Sequence, residues 1–139
     1  MAEKKGKGRI YEFDPQIYPT RLWVARKGVT IDEIDKMFEA ICSDNITGCS
    51  FKENHTLPGI GTGAETFVVG HKKSGFMGCL VYLNSPREAK YLSHEADHCA
   101  DHLFETIGEK ERSYNHGEPY AYYQSWVFDC LYKVWRNKV

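Results

Sequence analysis

The chain has 139 residues, a formal net charge of -1 at pH 7 and 42% hydrophobic residues, which suffices for one domain with its own core. Because the charges balance, the composition excludes a general attraction to nucleic acid or to anionic membranes. No apolar run approaches the ~20 residues that span a bilayer, and the first residues, MAEKKGKGR, lack the apolar core of a secretory signal. These features predict a soluble, cytoplasmic protein without nucleic-acid or membrane partners.

The first half of the chain predicts two strands and one helix. Residues 1–9 are basic and are expected to form a disordered tail, after which RIYEF and RLWVAR have the composition of extended segments. Thr30, with Glu33 three residues later, forms a capping-box pattern, and apolar residues at helical spacing predict an amphipathic helix over IDEIDKMFEAI. The segment 43–63 is polar and glycine-rich, and we expect at most a short strand there, over the CSF that begins at Cys49.

The second half predicts a hairpin and two helices. ETFVVG and FMGCLVYL are joined by the turn HKKSG, and the second arm is apolar enough to be buried on both faces. Asn84 or Ser85 can cap a helix that Pro86 opens at its first turn and that stops at Gly108. A last helix covers residues 118–135.

This order of elements predicts a single α+β domain over residues 10–139, with a small, mostly antiparallel sheet packed against both later helices. Three of the five cysteines, Cys79, Cys99 and Cys130, lie within apolar patterns, where a reduced cysteine behaves as a small hydrophobic residue. No CxxC or CxxH spacing is present, so neither a zinc knuckle nor a redox motif is expected. Reduced cysteines fit the predicted cytoplasmic location.

The first of the two later helices contains an HExxH pattern, His94-Glu95-Ala96-Asp97-His98. Residues four apart on a helix differ by about 40° in azimuth and about 6 Å in height, so both imidazoles can bind one metal ion. Glu95 lies about 100° round from His94 and can reach a water on that metal without binding the metal itself. The pattern therefore predicts a metal site with a general base, although a solvent-facing helix stripe would show the same residues.

The last helix supplies a candidate third ligand. Its apolar residues cover most of its circumference, so it is expected to be largely buried. One polar stripe interrupts them: Glu118, Tyr122, Ser125 and Asp129. Because a buried carboxylate is costly unless it is paired or binds a metal, a metal held by His94, His98 and Glu118 would satisfy the first member of the stripe. The alternative is a wet face with ordinary hydrogen bonds.

HEADH followed by Glu118 resembles the gluzincin arrangement of zinc metallopeptidases, in which two histidines and a downstream helical glutamate bind zinc. The run from IYPTRLWVA through HEADHCADHLFETIG to NHGEPYAYYQSWV is similar to small HExxH proteins of bacteriophages and prophages. The resemblance implies a minimal zincin-like domain in a bacterial host cell. In it, His94, His98 and Glu118 would bind Zn²⁺ and Glu95 would be the general base. The arm FMGCLVYL would resemble the zincin edge strand, along which an extended peptide can pair.

Such a site would hydrolyse a peptide bond with metal-bound water. Three protein ligands leave zinc an open position for that water, zinc lowers its pKa toward ~7, and Glu95 takes its proton. Asp101 could hold a ligand imidazole in one tautomer, or could simply be exposed. His102, His116 and Tyr122 are candidates, by position, for stabilising the transition state. Iron(II) suits the same ligands, but two ligands on one helix favour zinc.

We therefore expect a zinc-dependent peptidase that acts on a peptide or protein substrate. The alternative is a non-catalytic, metal-stabilised binding or assembly protein encoded by a phage. Glu95 discriminates between the two, because a structural metal site needs no general base and is usually closed by four ligands.

Overall fold

The computed structural model describes residues 10–41, 48–108 and 117–137. Within these ranges it is an α+β structure, in which helices pack on both faces of one mixed sheet. The strands are β1 (Ile10–Phe13), β2 (Arg21–Arg26), β3 (Phe38–Ala40), β4 (Ala64–His71) and β5 (Met77–Leu83). The helices are α1 (Ile31–Met37), α2 (Phe51–Asn54), α3 (Ala89–Thr106) and α4 (Glu118–Trp135).

The five strands form one sheet in the order β1-β2-β5-β4-β3. Only β2 and β5 run parallel; the pairs β1–β2, β4–β5 and β3–β4 are antiparallel, as predicted for a mostly antiparallel sheet. β5 lies at the centre, and its side chains alternate between the two faces. Cys79, Val81 and Leu83 join the core under α3 and α4, whereas Leu80 and Tyr82 join the core under α1 and α2. The prediction that this arm is buried on both faces is confirmed.

The capping box at α1 is confirmed, but the helix is shorter than predicted. Thr30 accepts a hydrogen bond from the backbone N–H of Glu33, and the Glu33 side chain accepts one from the N–H of Thr30. The helix ends at Met37, and Phe38 begins β3 by pairing with His71 of β4. Helical spacing over FEAI was misleading because Phe38 and Ala40 are buried as alternate residues of a strand rather than on one face of a helix.

At CSF, where at most a short strand is expected, a single bridge at Ser50 is followed directly by the start of a helix. The hydroxyl of Ser50 accepts a hydrogen bond from the N–H of Glu53 and caps α2, which buries Phe51 in the second core. Strand-like pairing at Ser50 is limited to an isolated bridge to Glu39. A serine three residues before a glutamate is an N-cap signal that short-range strand propensity obscured.

α3 begins three residues later than predicted. Neither Asn84 nor Ser85 caps it, because the Asn84 amide donates instead to the carbonyls of Gly59 (3.0 Å) and Thr62 (2.9 Å). The C-terminal end is as predicted: Gly108 adopts φ 84° and its N–H bonds the last turn. The predicted span of α4 is confirmed over all its residues.

β4 has a free edge over its first half. β3 pairs with β4 only at residues 69–71, so residues 64–68 have no strand partner on that side within the described parts of the chain. The expectation that FMGCLVYL forms the edge strand is wrong, because β5 is bonded to β2 on one side and to β4 on the other. Of the two strands of this hairpin, β4 is the one nearer the edge of the sheet.

The backbone groups at this edge can be assigned from neighbouring hydrogen bonds. The N–H of Lys72 donates to Met37 of the β3 side (2.9 Å), whereas the N–H of His71 donates toward β5 (2.8 Å). Since residues alternate along an antiparallel strand, the even-numbered residues of β4 direct N–H and C=O away from β5. Ala64, Thr66 and Val68 therefore present backbone groups along this edge that no described residue pairs with.

The cysteine prediction is confirmed for Cys79, Cys99 and Cys130, which are free and buried. Cys49, in contrast, is disulfide-bonded, with a partner outside the described residues. The predicted basic tail of residues 1–9 also lies outside the described residues. No helix of the described ranges has the length and apolar character that crossing a membrane requires.

Candidate metal and peptide site

The two histidines of the HExxH pattern converge. Their Nε2 atoms are 3.1 Å apart and their rings meet edge to face with centroids 4.7 Å apart. Both side chains lie on the exposed side of α3, one helical turn apart. Two nitrogens at about 2.0–2.1 Å from a tetrahedral zinc would be separated by about 3.3 Å. The pair therefore fits two ligand positions of one zinc ion, and without metal it can share one proton between the rings.

Glu95 is buried and does not belong to the solvent-exposed side of α3. Its side chain is 7% exposed, and Thr66 Oγ1 donates a 2.6 Å hydrogen bond to its Oε1. The helix positions it there because Glu95 lies only about 40° round from the buried Cys99 and about 60° from the buried Leu92, at the border of the face that packs against β4. A carboxylate this buried needs a partner, and Thr66 supplies it from the free edge strand.

These groups border a cavity of about 440 Å³ between α3 and the edge of β4. Its polar lining consists of His94, His98, Glu95, Thr66 and Glu65. Burial raises the pKa of the Glu65 carboxyl, and the nearby Glu95 carboxylate raises it further. Two imidazoles and one buried carboxylate, that of Glu95, therefore border this opening, with the negative charge of Glu65 nearby on β4.

Two thiols lie beneath this cavity. Cys79 of β5 lines it, and Cys99 of α3 is fully buried against Cys79. Hydrogen bonding to Cys79, together with burial, holds the pKa of the Cys99 thiol well above its usual range. Cys99 is therefore a neutral thiol at pH 7, consistent with the packing role expected of it and with no nucleophilic role.

Glu118 is not brought to the histidine pair. Among the described residues, which include all three side chains, no group of three or more His, Cys, Asp or Glu could hold a metal ion. In the first turn of α4, Tyr120 faces α3, because its hydroxyl donates to Asp97 at 2.7 Å. Glu118 is exposed and lies two residues earlier, about 200° round the helix from Tyr120. Its side chain therefore points away from α3.

The expectation that α4 is largely buried is wrong, because only one face of the helix is covered. α4 packs one face on α3 and β2, and its predicted polar stripe is the solvent face on the opposite side. Tyr122 is 70% exposed, and Asp129 pairs with Lys133 at 3.4 Å. The wet-face alternative for this stripe is the correct one, so burial no longer argues for metal at Glu118.

The remaining predicted residues are dispersed. Tyr122 does not line the cavity, and Asp101 is exposed on α3. His102 is half-buried one turn after His98, and burial lowers the pKa of its imidazole despite the acidic neighbours Glu105 and Asp101. His116 lies outside the described residues.

Thr66 and Glu65 are site residues that the sequence pattern did not reveal. Each is an ordinary polar residue of a strand, and its importance depends on which strand of the sheet packs beside α3. The nearest signal was the alternation in AETFVVGH, which places Ala64, Thr66 and Val68 on one face. The alternation predicts neither which helix packs on that face nor that this side of the strand has no neighbouring strand among the described residues.

A scan against protein-family models, a search of curated proteins and a search of solved structures found no match to this chain. Every inference about its function therefore depends on its own residues and their arrangement.

Proposed function

We propose that the protein is a zinc-dependent peptidase of minimal zincin-like design, in which His94 and His98 bind the metal and Glu95 is the general base. The observation that carries the proposal is the convergence of the two Nε2 atoms, 3.1 Å apart, beside a buried glutamate. A hydrogen-bonded histidine pair alone would not call for a desolvated carboxylate on the adjacent residue. Together, the three side chains form a compact hydrolytic set.

The free edge of β4 supports a peptide as the substrate. An extended peptide can add to this edge through the backbone groups of Ala64, Thr66 and Val68. A peptide in that position would pass the cavity opening, with a backbone carbonyl beside the histidines and Glu95. The edge therefore provides both affinity and alignment for the bond to be cleaved.

A zinc ion held by His94 and His98 would supply a Lewis acid for the peptide carbonyl and for the attacking water. Glu95 accepts a proton from the attacking water, whose oxygen forms the new bond to the carbonyl carbon. As the C–N bond breaks, Glu95 returns the proton to the leaving amine nitrogen. Thr66 fixes one carboxylate oxygen at 2.6 Å and so leaves the other free for proton transfer.

A cleavage assay with a Glu95→Gln variant tests this proposal. Purified protein with one equivalent of zinc is incubated with a peptide library, and products are identified by mass spectrometry. We expect defined cleavage by the parent and a loss of at least about 10²-fold in rate with Glu95→Gln, the scale of general-base catalysis. Cleavage that survives Glu95→Gln and a chelator would come from a contaminant, and no cleavage by the zinc-loaded parent would contradict the proposal.

A second candidate is a peptide-binding protein that does not cleave. It is favoured by the lack of a three-ligand group among the described residues, because a catalytic zinc usually has three protein ligands. The same library separates the two: peptides that bind the zinc-loaded parent and remain intact would favour the binding protein. In that case Glu95 serves only to connect α3 to β4 through Thr66.

A further inference from the structure

A second cavity lies at the end of the β4 edge. It has a volume of about 480 Å³. Its lining consists of the loop Ile60-Gly61-Thr62-Gly63, of Asn84 and Ser85, and of the larger side chains of Lys27, Arg87 and Tyr91. Gly63 of this cavity directly precedes Ala64 of the first one. Tyr91 precedes His94 and Glu95 by one turn of α3. The two cavities therefore adjoin at the start of β4 and along α3, and Lys27 reaches the second cavity from the end of β2, on the far side of β5.

The second cavity is positively charged. Neither Lys27 nor Arg87 forms an ion pair with another described residue. The acidic residue nearest in sequence, Glu88, is paired with Lys90 at 3.4 Å. Two unpaired cations beside a concave surface attract an anion and raise its local concentration.

The loop of this cavity is fixed and offers backbone donors. The Asn84 amide bonds the carbonyls of Gly59 and Thr62, and the N–H of Thr62 donates to Gly59 at 3.2 Å. The N–H groups of Ile60 and Gly61 donate to no other described residue. Successive N–H groups in a turn form an anion-binding concavity.

The direction of a peptide on β4 follows from β3. β3 runs antiparallel to β4 and proceeds from His71 toward Val69. A peptide that continues this line along residues 68–64 has its C-terminal side at Gly63. Antiparallel pairing is also slightly more stable than parallel pairing, so the C-terminal side of the peptide reaches the basic cavity.

We propose that this basic cavity binds a carboxylate on the C-terminal side of the bond to be cleaved, either the chain terminus or an acidic side chain. The inference rests on the proposed peptidase, whose substrate it specifies. Thr66 lies opposite Glu95 and Gly63 is three residues away, or about 10 Å at 3.4 Å per residue. The carboxylate therefore belongs to about the third residue beyond the cleaved bond.

The test measures binding without cleavage, in the Glu95→Gln protein with zinc. Three fluorescent peptides of the same apolar sequence are compared by anisotropy: one with a free C-terminus, one with a C-terminal amide, and one amidated but with Glu at the third position from its end. We expect one of the two carboxylate peptides to bind at least about five-fold more tightly than the amide, as charge-assisted hydrogen bonds allow. Which of the two binds more tightly distinguishes the chain terminus from a side chain.

A double variant, Lys27→Gln with Arg87→Gln, should remove this difference and leave the affinity for the amide unchanged. The matched control, Lys90→Gln with Lys133→Gln, removes the same charge from two exposed lysines outside the cavity and should keep the difference. Equal affinities of the parent for all three peptides, absence of binding, or equal effects of the two double variants would overturn the inference. Because cleavage by the parent is assayed separately, failure here leaves the peptidase proposal to its own test.

Discussion

Thr66 and Glu95 connect the edge strand to the HExxH helix: Thr66 Oγ1 lies 2.6 Å from Glu95 Oε1, and Glu95 is nearly inaccessible to solvent. This hydrogen bond fixes the orientation of the proposed general base relative to the edge on which a peptide would lie. Thr66 is thus a positioning residue that acts through Glu95.

The Thr66→Val substitution keeps the shape of the side chain and removes the donor. We expect it to lower kcat by about 10- to 100-fold, as loss of a supporting hydrogen bond does at metal sites. Since a buried carboxylate loses its partner, the free energy of unfolding should also fall by about 1–3 kcal/mol. Both are measured on purified protein, by peptide hydrolysis and by urea titration.

Thr66→Ser is the matched control, because it retains the hydroxyl. It should recover most of the lost kcat and stability. If Thr66→Ser is as impaired as Thr66→Val, the methyl contact matters rather than the hydrogen bond, and the positioning role is wrong.

Substitutions of Glu65 and of Glu118 should have different effects on the affinity for zinc. Glu65 lines the cavity with both histidines, whereas Glu118 is directed to solvent from α4. We expect Glu65→Gln to weaken zinc binding by about ten-fold, since it removes a negative charge close to the two histidines. Glu118→Gln should leave the affinity within about two-fold of the parent, as expected for an exposed charge. Competition with a zinc-binding dye measures both, and a larger loss with Glu118→Gln would restore it as the third ligand.

His55 should make stability depend on pH. Burial between the rings of Phe51 and Phe67 lowers the pKa of His55 below its ordinary value of 6.5. The unfolded chain therefore takes up this proton first as the pH falls, so the stabilisation is complete above pH 6.5 and is lost as the pH decreases through and below that value. His71, with a pKa also lowered by burial, acts in the same direction.

The measurement is urea unfolding at pH 7.5 and 5.5, with a chelator present to exclude metal. We expect the free energy of unfolding to be lower at the acidic pH, and the difference to shrink in His55→Gln. An unchanged difference in this variant would show that His55 does not contribute to the pH dependence.

Gly78 should tolerate no side chain. A Cβ at this position would overlap the carbonyl oxygen of Arg21, where the parallel strands β2 and β5 meet. We expect Gly78→Ala to lower the free energy of unfolding by about 3 kcal/mol or more, since a backbone neighbour cannot move aside as a side chain can. Gly59→Ala is the control, because its Cβ would meet nothing within 4 Å. Equal stability of the two variants would contradict this packing.

The local elements could be predicted from the sequence because their signals are local. The capping box at Thr30, the glycine at position 108 and the span of α4 all depend on residues within a few positions. β3 could not be predicted, since Phe38 is drawn into the sheet by His71, far along the chain. Amphipathic spacing cannot report such a partner.

The candidate site divides in the same way. The geometry of one helix suffices to bring His94 and His98 together, and the structure shows that pair. Glu118 depends on the rotation of α4 about its axis, which is set by the packing of Tyr120 against α3. Thr66 depends on which strand forms the edge. The rotation of α4 and the position of a strand in the sheet are both set by tertiary packing. The polar stripe of α4 and the alternation of β4 are each compatible with more than one packing arrangement.

The most direct test of the central claim is the zinc content of untagged protein after dialysis against limiting zinc, determined by mass spectrometry. We expect about one zinc per chain in the parent and in Glu95→Gln, and much less in His94→Ala and in His98→Ala. If the folded parent takes up no zinc, or if the histidine variants retain as much as the parent, the convergence of His94 and His98 is not a metal site and the proposed peptidase is contradicted.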